Sequence, residues 1–235
     1  MHLVPIPKDF SGHILDVGFG TGLWCNGIGD LYPGATVRGV DLSPSSNTWV
    51  PPNVDFELDD VEEEWTYMRK FDFIHCRSMA GSIRNWPKLV KQCFEGLNPD
   101  GWVQFADWDY TPFLPNGTAD VRDNDVVRWH RKMMDTICSA TGATAKPGPS
   151  LKEWVVGAGF KVVREATFHV PIGGWAKDPK LKEIGRYYYC SIDEGLEGIS
   201  LRTFTRLAGM SPEEAYVINA SFRQGLKNVQ VYHKL

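Results

Sequence analysis

Ile14-Leu15-Asp16-Val17-Gly18-Phe19-Gly20-Thr21-Gly22-Leu23-Trp24 is the stretch whose reading decides the fold. A short apolar run ends at Asp16, and glycines then alternate at Gly18, Gly20 and Gly22. Leu23, Gly27, Ile28 and Leu31 follow on one helical face. The pattern is a buried strand, a tight glycine turn and a helix start. Glycine reaches φ > 0 without a Cβ penalty and lets a ligand touch bare main chain. A helix N-terminus adds oriented N–H groups. A dinucleotide fingerprint wants glycines at the first, third and sixth positions. Counted from Gly18, the sixth position is Leu23, so that pattern is not met. A glycine-rich strand–helix turn can also be a plain structural loop.

Working outward, Thr36–Asp41 reads as a second strand ending in an acid. Its distance from the glycine turn, roughly 20 residues, suits a carboxylate that accepts both ribose hydroxyls. The competing reading of Asp41 is a turn residue ahead of Ser43-Pro44. Ser43 to Asn53 is too rich in Ser and Pro for a long helix. Val54–Leu58 alternates as a third strand, and the acidic run from Asp59 to Glu64 follows it. Such a run is usually a solvated face. Here Asp60 is placed to accept from an adenine amino group, and Val61 to offer its backbone N–H to the ring. Phe71–His75 is a fourth strand, Trp86 to Leu97 a helix with Pro87 in its first turn, and Trp102–Asp107 a fifth strand. Alternating strands and helices with short turns predict a parallel α/β sheet. Ligands of such sheets sit at the C-terminal strand edge. Asp16–Gly22, Asp41, Asp60, His75–Arg77 and Asp107 all fall on that edge, which loop acids unrelated to one another would not be expected to do.

Past Asp107 the chain changes character. Asp123 or Asn124 caps a helix to about Ala140, ended by Gly142. Lys146-Pro147-Gly148-Pro149 reads as a rigid connector, and Ser150 to Glu153 as a capping box opening a short helix. Phe160–Val170 is the expected sixth strand, Asp178 to about Asp193 a helix carrying Tyr187, Tyr188 and Tyr189, and Ser211 to Glu214 a second capping box. Residues 228–233 complete the chain as its last strand.

At 235 residues with 43% hydrophobic content, the chain is long enough for one large domain with a sizeable core. A net charge of −4 gives no sign that a nucleic-acid backbone is the main partner. The five cysteines are scattered without metal-type spacing, which points to a reducing compartment. No signal peptide or membrane-length apolar run is seen. A soluble intracellular protein is expected, cytoplasmic, or nuclear if its role is regulatory. Nine tryptophans are many, and most such residues are simply core.

The Asp-x-Gly-x-Gly-x-Gly spacing resembles motif I of class I S-adenosylmethionine (SAM) methyltransferases. With Gly39-Val40-Asp41-Leu42-Ser43-Pro44, Trp49 to Val54, Phe56 to Asp60, Phe71 to Arg77, Gly81-Ser82-Ile83 and Trp86, the chain is similar to the fungal LaeA-like methyltransferases. That likeness runs almost continuously from Leu3 to Asp109 and thins after Tyr110. It implies an α/β, Rossmann-like class I fold: seven strands, mostly parallel, the last antiparallel, with helical insertions after strands 5 and 6. It also implies SAM as cofactor, with S-adenosylhomocysteine (SAH) as product. One domain is expected over 1–235, with a core at 12–109, a variable substrate-side region at 110–227 and the last strand at 228–235.

The resemblance carries roles by position. Asp16, Gly18, Phe19, Gly20 and Gly22 would cradle the methionine and ribose portion, Asp41 and Leu42 the ribose, and Asp60 and Val61 the adenine. Cys76 and Arg77 would lie beside the methionine end. His75 and His130 are the candidate general bases, with His169 behind them. Trp108, Tyr110 and Tyr187 would line a pocket for a flat small molecule. No metal is expected. The reading is a SAM-dependent methyltransferase acting on O, N or C of a small secondary metabolite. A LaeA-like regulator acting through protein partners is the alternative, and a methyltransferase fold catalysing a non-methylating step is a third. Family members usually carry helices ahead of the first strand that cover the cofactor. Met1 to Gly12 holds two prolines, so an open pocket, weak SAM affinity and coverage by a second copy or a partner protein are expected.

Overall fold

The computed structural model describes residues 2–45, 47–113, 124–228 and 230–235. Candidate cap Asp123 lies outside them, as does Val229 of the expected last strand. The described chain divides into two compact units: Met1–Met79, Asn85–Asp107 and Ser150–Arg164 in the first, and Ala80–Arg84, Trp108–Pro149 and Glu165–Leu235 in the second.

The first unit is built on β1 (His13–Val17), β2 (Thr36–Asp41), β3 (Val54–Leu58), β4 (Phe71–Arg77) and β5 (Leu97–Ala106). They hydrogen-bond in the order β3-β2-β1-β4-β5, all parallel. The chain steps outward from β1 to β3 and then returns to β4, so strand order reverses between β1 and β4. Helix α1 (Leu23–Leu31) packs Trp24, Cys25 and Ile28 against Ile14, Val37, Val54 and Phe73. Ile14, Ile28 and Phe73 are fully buried, each contributing about 1.5–3 kcal/mol of apolar transfer free energy. Helix α2 (Trp86–Gly96) starts on Asn85, whose side chain accepts from the Lys88 N–H. Trp86 stacks on Trp154 at 5.9 Å from α4 (Gly148–Ala158).

The second unit has its own core. Strands β6 (Asp109–Phe113), β7 (His169–Ile172) and β8 (Val231–Lys234) form an antiparallel sheet with β8 in the middle. Helices α3 (Asp125–Thr141), α5 (Pro179–Arg202) and α6 (Pro212–Asn228) supply Val126, Trp129, Leu196, Phe222 and Leu226 to the core, with Ile172 and Val231 from the strands. A π-helical turn, Thr203–Leu207, follows α5 and buries Phe204.

Several expectations shift. Among the described residues, eight strands in two sheets stand where seven in one were expected. The fifth stops at Ala106, and pairing resumes at Asp109 with a different partner, β8. The last strand is antiparallel to both its neighbours, as expected. The sixth strand is His169–Ile172, with one more backbone-paired residue at Phe168 opposite Leu235, and is shorter than expected because its partner β8 is four residues long. β4 runs on to Arg77 because Cys76 and Arg77 find partners on β5. α4 opens at Gly148, since Pro149 suits a first turn, so the second half of the supposed rigid connector becomes helix. α5 continues past Asp193 because Leu196 and Ser200 extend its buried face. Asn124 is the α3 cap, and Gly142 closes that helix in the left-handed region at φ 72.

Candidate functional site

Because β1 to β4 are parallel, their C-terminal ends share one edge of the first unit. Read along the sheet, that edge carries Asp60 after β3, Asp41 at the end of β2, the glycine turn after β1, and Arg77 at the end of β4. The crevice of an open α/β sheet lies where strand order reverses, here between β1 and β4.

The three glycines all have positive φ, at 75, 57 and 76 degrees, as the spacing predicts. Most of the turn's donors are spent inside the fold. The N–H groups of Gly18 and Phe19 reach the Val40 carbonyl at 2.8 and 3.3 Å, and that of Gly22 the Phe19 carbonyl at 2.9 Å. Gly20 donates to Asp41 Oδ2 at 2.9 Å. A Cβ at Gly20 would meet nothing within 4 Å, so its main chain faces open space. α1 then begins at Gly22 with no side-chain cap. Its first-turn N–H groups carry the positive end of the helix dipole toward that space.

Asp41 is partly exposed and accepts one backbone N–H on each oxygen, from Gly20 and from Ser43 at 3.0 Å. A carboxylate has about four acceptor sites, so among the described residues one per oxygen remains for ribose hydroxyls. Asp60 Oδ1 accepts the Glu62 N–H at 2.9 Å. Val61 is buried, and its carbonyl accepts from Trp65 Nε1 and Gln92 Nε2, which fixes the loop after β3. Leu23, Leu42 and Leu58 are 70%, 74% and 61% exposed, giving this edge an apolar rim. A nucleoside fits: bare glycine main chain, an acid with vacant lone pairs, and an apolar border.

Other expected residues turn inward. Asp16 is buried, with Oδ1 accepting from His75 Nδ1 at 2.7 Å and Oδ2 from the Cys25 thiol at 3.1 Å. The His75 ring stacks on Trp24 at 3.8 Å and 3°, and is 1% exposed. Burial, with the Asp16 charge adding to it, pushes the Cys25 thiol up. The Phe19 ring packs on Phe56 at 4.7 Å. Burial pushes the Cys76 thiol well above its ordinary range, so it stays protonated. Asp16, Phe19 and Cys76 therefore shape the edge from beneath, and His75 orients Asp16. Arg77 is exposed at the end of β4. Two residues on, the Met79 N–H is held by the buried Asp107 carboxylate at 2.6 Å. No motif marks Met79 in the sequence, and its position follows only from the fold.

The remaining candidates belong to the second unit. His130 Nδ1 donates to the Val126 carbonyl at 2.8 Å, leaving a lone pair on Nε2. Burial lowers its pKa to about 4, against the raising effect of that carbonyl and with the help of Lys146. Its ring lies 4.7 Å from that of His233, which is 1% exposed and hydrogen-bonds Tyr188 Oη at 2.7 Å. Trp108 stacks on Tyr188 and on Tyr110, at 5.1 and 5.8 Å. Tyr187 is 69% exposed, and His169 is exposed at the start of β7. His233 escaped the sequence reading because nothing local distinguishes it, and Tyr188 was read only as one of three tyrosines on its helix. Among the described residues, no cluster of His, Cys, Asp or Glu could hold a metal ion, and no helix is long and apolar enough to cross a membrane.

The comparisons agree with this geometry. Residues 3–165 match the family described as "Methyltransferase domain". Methyltransferase pytC of Aspergillus terreus is 40% identical over 220 residues, covering 93% of this chain and 67% of that protein. The secondary metabolism regulator LAE1 of Cochliobolus heterostrophus is 32% identical over 212 residues, covering 88% and 68%. The chain thus spans about two thirds of the length of these fungal relatives. Among solved structures, a phosphoethanolamine N-methyltransferase 2 of Haemonchus contortus, in complex with SAH, overlays with a TM-score of 0.55 at 18% identity. It covers 97% of this chain and 48% of its own, and shows the shared fold. With a match across well over half its length and two fungal relatives above 30% identity, the chain belongs to the methyltransferase-domain family, and it is a LaeA-like SAM-dependent methyltransferase.

Proposed function

We propose that the chain methylates O, N or C of a small secondary metabolite, holding SAM across Gly18–Gly22, Asp41, Leu42, Asp60 and Val61. The observation that supports this most is the open main chain at Gly20 beside the vacant lone pairs of Asp41. SAM supplies an activated methyl group, so the chemistry asks the protein mainly for alignment and exclusion of water. Asp41 fixes the ribose, Asp60 and Val61 read the adenine, and Arg77 lies at the methionine end. The whole of 1–235 acts as one methyltransferase domain, with Trp108, Tyr110 and Tyr187 contributing to acceptor recognition.

Proton removal is a lesser need. A histidine near pKa 4 is poorly matched to an acceptor phenol near pKa 10. His130 is a weak base for that task, and an acceptor that arrives as an amine or a phenolate suits this chain better. His75, sealed against Trp24, serves as a positioning residue for Asp16. The test is SAH formation on a panel of phenolic, amine and carbon-acid metabolites. Turnover on any of them supports the reading. SAM binding without turnover on the whole panel would favour the regulatory alternative that the likeness to LAE1 keeps open. The same assay, run beside a light-scattering measurement, tests coverage of the site by a second copy. A cytoplasmic location, or a nuclear one for a regulator, is part of the same proposal.

A further inference from the structure

Ser78 sits in the left-handed region at φ 58, a conformation that costs a non-glycine residue free energy and clusters at functional sites. Two hydrogen bonds hold the kink. The Ser78 N–H donates to the Ala106 carbonyl at 3.0 Å, and the Met79 N–H to Asp107 Oδ2 at 2.6 Å. The chain leaving β4 is therefore pinned to the end of β5, and the Met79 side chain turns back over the glycine turn of β1. There its thioether lies on Gly18: a Cβ added at Gly18 would run into Met79 Sδ, with Cε 2.9 Å and Cγ 3.5 Å away.

The order of strands gives this position a chemical meaning. Adenine, ribose and the amino-acid end of the cofactor have their proposed partners at successive strand ends, Asp60 after β3, Asp41 on β2 and Gly18 after β1. The next strand is β4, and the group it presents over Gly18 is a sulfur carrying lone pairs. We propose that Met79 contacts the sulfur end of the cofactor, and that its thioether favours the positively charged sulfonium of SAM over the neutral thioether of SAH. A polarisable sulfur stabilises an adjacent cation through its lone pairs, and an aliphatic side chain of equal bulk does not. The pinned backbone keeps that sulfur in place. Product would then be held less tightly than cofactor at the point where the charge is lost.

The inference rests on SAM binding at the proposed residues. Calorimetric titration of the whole chain with SAM and with SAH, for wild type, Met79→Leu and Met79→Ala, tests the two separately. The expected result is that the wild type prefers SAM and that both variants lose about threefold to tenfold of that preference. In Met79→Leu, SAH affinity should stay within about twofold of wild type, because the apolar contact is kept. Wild-type SAM binding with an unchanged preference in both variants would overturn the role of Met79 alone. Absence of any SAM binding by wild type would overturn the cofactor site and this inference together.

Discussion

In the parallel-sheet unit, His75 is buried against a carboxylate, with Nδ1 2.7 Å from Asp16 Oδ1. In the antiparallel unit, His130 and His233 are buried with rings 4.7 Å apart, and neither hydrogen-bonds a carboxylate among the described residues. The two environments use imidazole in opposite ways. Asp16 accepts from His75 and Cys25 and so ties β1, β4 and α1 together beneath the glycine turn. The second unit instead forces its two buried histidines, His130 and His233, toward the neutral form by desolvation, with the His130 ring adding to the effect in the case of His233. One unit fixes its glycine-turn edge by polar pairing. The other makes a dry aromatic core whose stability depends on its imidazoles staying uncharged.

The largest expected effect breaks the paired side of this comparison. Asp16→Ala removes the acceptor of both His75 and the Cys25 thiol in a closed core. Losing one member of such a buried pair costs about 3–5 kcal/mol. Urea unfolding followed by tryptophan fluorescence should show it as a large fall in the midpoint. Asp16→Asn retains one acceptor and should lose less. A midpoint unchanged in Asp16→Ala would mean that the pair contributes nothing net.

Next in size is the binding edge above that pair. Asp41→Ala should weaken SAM binding by about 2–3 kcal/mol, the scale of lost charge-assisted hydrogen bonds. The structure adds a second consequence: Gly20 and Ser43 also lose their acceptor, so the turn itself loosens. If the variant binds SAM as tightly as wild type in calorimetry, Asp41 is a turn residue and nothing more.

The unpaired histidines give a pH signature of opposite origin. His130 has a folded pKa of about 4, below the ordinary 6.5. Between those values the unfolded chain binds more protons, so stability is complete above about pH 6.5 and is lost as pH falls toward 4. From His130 alone the loss at pH 5 is about 2 kcal/mol. Burial shifts His233 in the same direction, so its contribution carries the same sign. Comparing urea midpoints at pH 7 and pH 5 for wild type and His130→Gln checks it. The variant should show the shallower pH dependence, and identical slopes would show that His130 is not the group responsible.

The same contrast explains what could be read in the sequence. Motif I, Asp41 and strands β2 and β3 were legible because glycines at fixed spacing, strand-end acids and alternation are local signals, and their elements appear at the expected residues. The inward turn of Asp16 and His75 was not, because it depends on β1 and β4 pairing 59 residues apart in sequence. Met79 was missed for a similar reason: the Ser78 kink and the Asp107 anchor belong to the fold. In the second unit, a cap at Asn124, read as one of two candidates, and a helix start at Asp178 were legible, and their side chains accept from Val126 and Leu181. The His130–His233–Tyr188 cluster was not, because it joins α3, α5 and β8 from distant parts of the chain.

The smallest expected effect separates a helix start that is closed from one that is open. At α6 the capping box forms as read from the sequence: Ser211 Oγ accepts the Glu214 N–H at 3.1 Å, and Glu214 Oε2 accepts the Ser211 N–H at 2.8 Å. At α1 the cap position is Gly22, in the left-handed region, and among the described residues it has no side-chain cap hydrogen bond. A closed start spends its N–H groups on stability, whereas an open one leaves them to a ligand. Ser211→Ala should therefore cost about 1 kcal/mol of stability and leave SAM affinity at the wild-type value. Thermal melts with and without saturating SAM measure both quantities in one series. If Ser211→Ala lowers the melting temperature but keeps the full SAM-induced rise, the capped helix contributes stability alone. A diminished rise would show that SAM binding depends on more than the glycine edge.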